Sequence, residues 1–232
     1  MRIITTIVAA TMVWVTGAFE ARAAEPINIH AGGEFRKLTR DECNAKAMAT
    51  LRADQKFSHV ELTADGFVLG WNDVATVLVA AFPFRDGVLF LVTAASKDNF
   101  IAERLRNEVR EFILDPKDLP ESSGVKQVSR KTPQPNPLPI CWEVSKRGAQ
   151  NTLRFFDAAA ALAMEKQGMR SAIASKTMVF GAAPEGMAVA VLVPGANQIS
   201  VNLLVIAVSE DDKEAARLKK AAQTELLKIL FD

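Results

Sequence analysis

One run of residues is used twice in this chain, and that duplication limits the possible fold more than any other feature. Leu91, Val92, Ala94, Ser96 and Asp98 recur as Leu204, Val205, Ala207, Ser209 and Asp211, and Ala102, Arg104 and Leu105 as Ala215, Arg217 and Leu218, all at an offset of 113. Upstream, Ala47, Leu51, Val68 and Gly70 recur as Ala158, Leu162, Val179 and Gly181 at an offset of 111, which puts a two-residue insertion in the hairpin region between. Coincident apolar residues are weak evidence, because any amphipathic segment produces them. A shared Ser-x-Asp cap and a shared Arg-Leu at one offset are stronger.

Each copy reads as helix, three strands, helix. In the first, Thr39-Arg40-Asp41-Glu42 is a capping box, in which hydroxyl and carboxylate satisfy each other's orphan amides and start a helix over about 40–56. Strands follow over 66–71, 74–82 and 87–95, separated by Asn72-Asp73 and Arg85-Asp86-Gly87 as turn chemistry. Ser96 to Asn99 supplies the next N-cap, and Ile101, Leu105, Val109, Phe112 and Ile113 form one apolar helical stripe. The second copy gives a helix over 149–167, strands over 177–180, 187–193 and 199–208, and a last helix capped by Ser209 to Asp212. The expected fold class is therefore α+β: a tandem duplication of an αβββα unit, with antiparallel strands and helices packed on the sheet. Val74 to Phe82 and Met187 to Val193 are apolar almost without a break, as strands covered on both faces are. The two units can pair sheet to sheet, or join edges into one six-stranded sheet.

Domain organisation follows from composition. Met1 and Arg2 precede an apolar stretch, Ile3 to Phe19, and Ala21-Arg22-Ala23 fits the small-x-small rule of signal peptidase, so 1–23 read as a signal peptide cleaved after Ala23. An uncleaved anchor is the competing reading. Residues 24–39 are an N-terminal extension, 40–115 the first repeat, 116–139 a Pro-rich linker holding six of the ten prolines, and 140–232 the second repeat. The protein is expected in the periplasm or secreted, with no membrane span after cleavage.

Export bears on the cysteines. Cys43 and Cys141 are the only pair, and an oxidising compartment predicts a disulfide between them. Closing a loop of that length removes about 4–5 kcal/mol of unfolded-chain entropy on the simple model. The competing reading is a buried thiol, since Cys43 shares a helical face with Ala47 and Leu51.

Few residues carry recognisable chemistry. Lys and Arg total 28 against 27 for Asp and Glu, so no net charge marks a nucleic-acid partner. There are two histidines and no tyrosine, and neither His30, in an expected mobile segment, nor His59 has a second ligand at i+3 or i+4. No cofactor and no metal are expected. Nucleophile-elbow, phosphate-loop and dinucleotide fingerprints do not occur, and Asp98, Asp211 and Asp212 read as helix caps. The feature with a binding character is an aromatic set on the first copy's sheet, Trp71, Phe82, Phe84 and Phe90, which the second copy lacks between Gly181 and Leu230. It suggests an apolar small molecule or an envelope protein as partner, with plain core packing as the competing role. The functional expectation is a non-catalytic exported binding or interaction protein. The alternatives are a hydrolase whose site is assembled only in three dimensions, and a structural or assembly partner in the cell envelope.

Overall fold

The computed structural model describes residues 26–53, 57–114, 138–148, 152–195 and 200–231, with side chains of the third helix from Phe155 onward. The expected signal peptide and 116–137 of the expected linker lie outside the described residues. The first half runs β1 (Asn28–Arg36), α1 (Arg40–Ala53), β2 (His59–Leu62), β3 (Val68–Trp71), β4 (Ala75–Phe84), β5 (Gly87–Ser96) and α2 (Asn99–Leu114). The second runs β6 (Ile140–Gly148), α3 (Thr152–Lys166), β7 (Arg170–Ser175), β8 (Met178–Ala183), β9 (Gly186–Pro194), β10 (Ser200–Ser209) and α4 (Asp212–Phe231). Each half forms one five-stranded antiparallel sheet, ordered β1-β5-β4-β3-β2 and β6-β10-β9-β8-β7. The protein is α+β and duplicated, and the repeated unit is βαββββα, two strands longer than αβββα.

The start signals act as the sequence predicts. Thr39 and Glu42 form the capping box: the Thr39 amide donates to Glu42 Oε2 at 2.7 Å, and the Glu42 amide to Thr39 Oγ1 at 3.2 Å. Asp98 Oδ1 accepts from the Phe100 and Ile101 amides, and Asp211 Oδ1 from the Lys213 and Glu214 amides. Ser96 and Ser209 each accept the amide of their following Asp, at 3.1 and 3.3 Å, so the shared Ser-x-Asp is one capping device used twice.

The strands that sequence reasoning missed are all at sheet edges. β1 falls in the expected N-terminal extension, and His30 in it is buried, its Nε2 2.8 Å from Asn99 Oδ1, so this segment is part of the sheet. The offset of the first helices also needs correction. Ala47 and Leu51 are fully buried, whereas Leu162 is 45% exposed and Ala158 is exposed too. Leu51 lies against Gly70 and Met164 against Gly181, so Leu51 corresponds to Met164 at an offset of 113. The connection from helix to hairpin is two residues shorter in the second repeat, and apolar matching along an alanine-rich helix slipped by half a turn. The insertion in the hairpin stands: Pro83 pairs with Val88 across four residues, while the equivalent Pro194 pairs with Val201 across six.

The sheets stack face to face. Leu78, Ala80, Phe82 and Leu91 of the first share one buried cluster with Val189, Val191, Leu204 and Ile206 of the second. On the outer faces, α1 and α2 cover Val77, Val79, Phe90 and Val92, and α3 and α4 cover Ala188, Ala190, Leu203 and Val205. The order is helix, sheet, sheet, helix. This accounts for the unbroken apolar runs of β4 and β9, which have no solvent face.

Two inner-face threonines differ in how their hydroxyls are satisfied. Thr76 Oγ1 donates to the Leu138 carbonyl across the sheet interface at 2.9 Å. Thr93 Oγ1, equally buried, has no hydrogen-bond partner. Thr76→Val is therefore expected to lower stability by about 0.5–1.5 kcal/mol in urea denaturation, and Thr93→Val to leave it unchanged or raise it by about 1 kcal/mol. Equal losses at both positions would show that the difference in bonding does not matter.

Candidate functional site

The aromatic set does not converge. Phe90 is fully buried on the helix face of β5 and Phe82 is buried on the opposite, sheet-facing side of β4. Phe84, half-buried near the hairpin tip, meets Phe35 edge to face at 5.9 Å and carries Arg85 over its ring. Trp71 lies at the far end of the sheet: its strand partner is Thr76, eight residues back along β4 from Phe84. At 3.4 Å per residue the two rings stand on the order of 25 Å apart.

Trp71 nevertheless anchors a cluster of its own. Antiparallel pairing of β2 with β3 sets His59 opposite Trp71, and their rings stack with centroids 3.7 Å apart at 24°. Period-two geometry puts Glu61 on the same face as His59, and its carboxylate lies 2.9 Å from His59 Nε2. Ser58 Oγ donates to the Trp71 carbonyl at 3.2 Å. Trp71 packs its inner side against the sheet-to-sheet core and stays half-buried, while the His59 and Glu61 side chains are 37% and 47% exposed. An indole–imidazole platform with an adjacent carboxylate thus sits where the edge strand β2 meets solvent. In the second repeat the matching pair is Ala182 and Arg170, with Ala172 in place of Glu61. Sequence reasoning singled out Trp71 but not His59 or Glu61, because the four-residue β2 that aligns them gave too short an alternation to read.

A second cluster joins the two sheets. Trp142 Nε1 donates to Asp65 Oδ2 at 2.9 Å, Phe67 lies 6.4 Å from Trp142, and Arg40 stands over Phe67 and bonds the Asp65 carbonyl. Gly66 takes φ +71 in this turn, and Asn44 Nδ2 donates to its carbonyl at 3.1 Å. The grouping ties the β2–β3 turn to β6 and to α1.

The expected disulfide between Cys43 and Cys141 is not formed; both thiols are free. Cys43 lies under α1 against the outer face of the first sheet. Cys141 alternates with the inward-facing Ile140 and Trp142 and so faces α4 on the outer face of the second. Two sheets separate them, which no side-chain rotation spans. Burial pushes the Cys43 thiol up to about 11, and burial, then Asp212, raises Cys141, with Lys219 opposing.

Elsewhere among the described residues, a shallow depression of 340 Å³ lies between the end of α3 and α4, lined by Arg217, Lys220 and Glu225 and by none of the aromatic set. No helix of the described residues is long and apolar enough to cross a membrane.

No family model and no curated protein matches this chain. Among the solved structures that are weakly similar to it are two di-domain proteins. The di-domain ARO/CYC StfQ from the steffimycin biosynthetic pathway is 7% identical, over 87% of this chain and 96% of that one, with a TM-score of 0.26. The di-domain ARO/CYC BexL from the BE-7585A biosynthetic pathway is 8% identical, over 88% and 99%, with a TM-score of 0.25. At such TM-scores the likeness carries no inference about ligand or reaction.

Two measurements check these placements. Phe90→Ala is expected to cost about 3–5 kcal/mol of stability, as for a filled core position; a loss under 1 kcal/mol would return Phe90 to the list of candidate contacts. In thiol titration of the native protein Cys43 is expected to stay unreactive, both thiols to react in denaturant, and the mass to be unchanged by reduction; a gain of two hydrogens on reduction would restore the disulfide.

Proposed function

We propose that this is an exported, non-catalytic binding protein of the cell envelope, whose contact surface is the platform built by Trp71, His59 and Glu61. The observation that carries this reading is the difference between the repeats. Two sheets of one topology have the same covered outer faces, yet one edge presents stacked rings and the other Arg170 and Ala182. Stacking the imidazole and indole against one another does not need an exposed edge, so a structural role alone gives no reason for keeping the pair where water reaches it. A planar apolar or aromatic ligand with a hydrogen-bond donor suits the platform: the rings supply contact area at little conformational cost, and Glu61 supplies an acceptor. Phe82 and Phe90 support the site only by holding β4 and β5 in place.

The reading is tested by a thermal-shift screen against envelope metabolites and lipids. A ligand at about 100 times its Kd adds roughly 2.7 kcal/mol to the native state, which for a chain of this size raises Tm by about 5–10 °C. Trp71→Ala is expected to abolish that rise for any ligand found, while Phe84→Ala leaves it intact. A rise that survives Trp71→Ala would remove the platform from the proposal. Export is checked separately: the protein is expected in the periplasmic or extracellular fraction beginning at Ala24, and recovery with Met1 in the membrane fraction would overturn it.

A further inference from the structure

The second repeat also serves as an internal control for a charge in the first. β1 and β6 occupy the same edge of their sheets. Gly32 pairs with Val92 and Glu143 with Val205, and Val92 and Val205 are equivalent, so Gly32 and Glu143 hold the same position. By the same register Glu34 corresponds to Ser145. On the helices that cross these strands, Arg106 corresponds to Lys219 and Arg110 to Gln223, at the offset that relates Leu105 to Leu218.

The interactions can then be compared one by one. In the second repeat Lys219 Nζ meets Glu143 Oε2 at 2.9 Å, and Gln223 Nε2 donates to Ser145 Oγ at 2.8 Å. In the first, Arg110 Nη2 meets Glu34 Oε2 at 2.6 Å, so that second interaction is kept in a charged form. The first interaction has lost its acid. Where Glu143 would stand there is Gly32, and the Arg106 guanidinium lies directly over it, its Nη1 3.1 Å from where a Cβ would be. Arg106 Nε is shielded from solvent and has no hydrogen-bond partner.

Nearby side chains do not make up the missing charge. Glu34 is already engaged by Arg110 and by Arg36 at 3.4 Å, so one carboxylate serves two guanidinium groups before Arg106 is considered. Glu103, one turn before Arg106 on α2, favours its charged form without forming an ion pair with it, while burial, then the like charge of Arg110, lowers the Arg106 pKa. His30, two residues along the same face, is taken by Asn99. A half-buried guanidinium beside another cation, without its counter-ion, is an unfavourable arrangement that an anion would relieve. Gly32 and Arg106 are each half-buried rather than sealed, which leaves the guanidinium within reach of solvent.

We propose that Arg106, over Gly32 and beside Arg110, binds an external organic carboxylate as Lys219 binds that of Glu143 in the second repeat. The chemical class follows from that comparison: the equivalent cation takes a carboxylate carried on a two-carbon chain. Propionate is that side chain detached from its backbone, and it is the probe of choice.

The test is a titration of the ¹⁵N-labelled protein with sodium propionate, with sodium chloride at matched ionic strength and sodium phosphate in parallel. Propionate is expected to give saturable shifts of the Arg106 Nε–H and of the Gly32 and Gly33 amides, with chloride giving none. Gly32→Glu supplies the acid in cis and should abolish the Arg106 response, since the atoms nearest the added Cβ all belong to the flexible Arg106 side chain. Arg106→Gln should abolish the shift at Gly33. Glu143→Gly is the reciprocal variant: it empties the same position in the second repeat and should make the Val144 amide newly responsive to propionate, a readout that does not depend on the first two variants folding. Equal responses to chloride and propionate, a response to phosphate alone, or an undiminished response in folded Gly32→Glu would each overturn the proposal.

Discussion

The contact between the two sheets governs the rest of this molecule. A five-stranded sheet covered by helices on one side still has an apolar opposite face, and here each such face is buried against the other. That core draws on β1, β3, β4, β5, β6, β8, β9 and β10. Strands in its middle are then buried whichever face a residue points to, and β4 and β5 are buried along nearly their whole length and apolar apart from Thr76, Thr93 and Ser96. The burial of apolar area is the dominant favourable term in such a fold, and it leaves little space between the layers for anything else. Polar recognition is thereby displaced to the margins, where Trp71, the Asp65 turn and β1 are found.

Covering both faces does nothing for the sheet edges, and four strands carry them: β1, β2, β6 and β7. An edge strand with free backbone groups can template pairing with another chain. Each edge here is altered in its own way. β2 is only four residues long, and β7 is broken in register between Ile173 and Ser175. β6 turns Glu143, Ser145 and Arg147 outward toward α4 and solvent, where Lys219, Gln223 and Phe231 meet them. β1 is flanked by α2, whose Arg106 and Arg110 reach across it. Both candidate sites of the first repeat involve these edge strands, β2 beside Trp71 and β1 beneath Arg106, at positions whose side chains the packing core does not consume.

What could be read from the sequence divides along the same line. The duplication, the capping boxes, the three central strands of each unit and the hairpin insertion were legible, because they rest on local chemistry or on long apolar runs. The alternation in β1, Ile29, Ala31 and Phe35 against His30, Glu34 and Arg36, is regular, but two glycines and the half-exposed setting made it look like an extension. In α1 and α3 the apolar positions are mostly alanine, so a shift of two residues aligns nearly as well as the true register, and only the burial of Leu51 and Met164 decides it. The disulfide rested on compartment and parity, which say nothing about which layer a cysteine occupies. The aromatic set failed as a set for a similar reason: strand periodicity assigns Phe82 and Phe90 to opposite faces only once the pairing of β4 with β5 is known.

Duplication also explains why the informative positions are those where the repeats differ. Val68 and Val179, Gly70 and Gly181, and Leu105 and Leu218 keep their burial in both halves because the same helix-on-sheet packing constrains them. Edge positions escape that constraint, so a change there is tolerated without loss of fold and is free to follow function. A carboxylate–ammonium pair on an open edge contributes only about 0–1 kcal/mol, so exchanging Glu143 for a residue such as Gly32 removes little stability by losing the pair itself. The larger effect is on the cation left behind. Lys219 without its partner could turn its flexible stem to water, whereas Arg106 lies along the strand with its Nε enclosed. The choice of arginine opposite the position that lost its acid therefore keeps the charge on the strand, with the fixed fork of donors that a carboxylate matches.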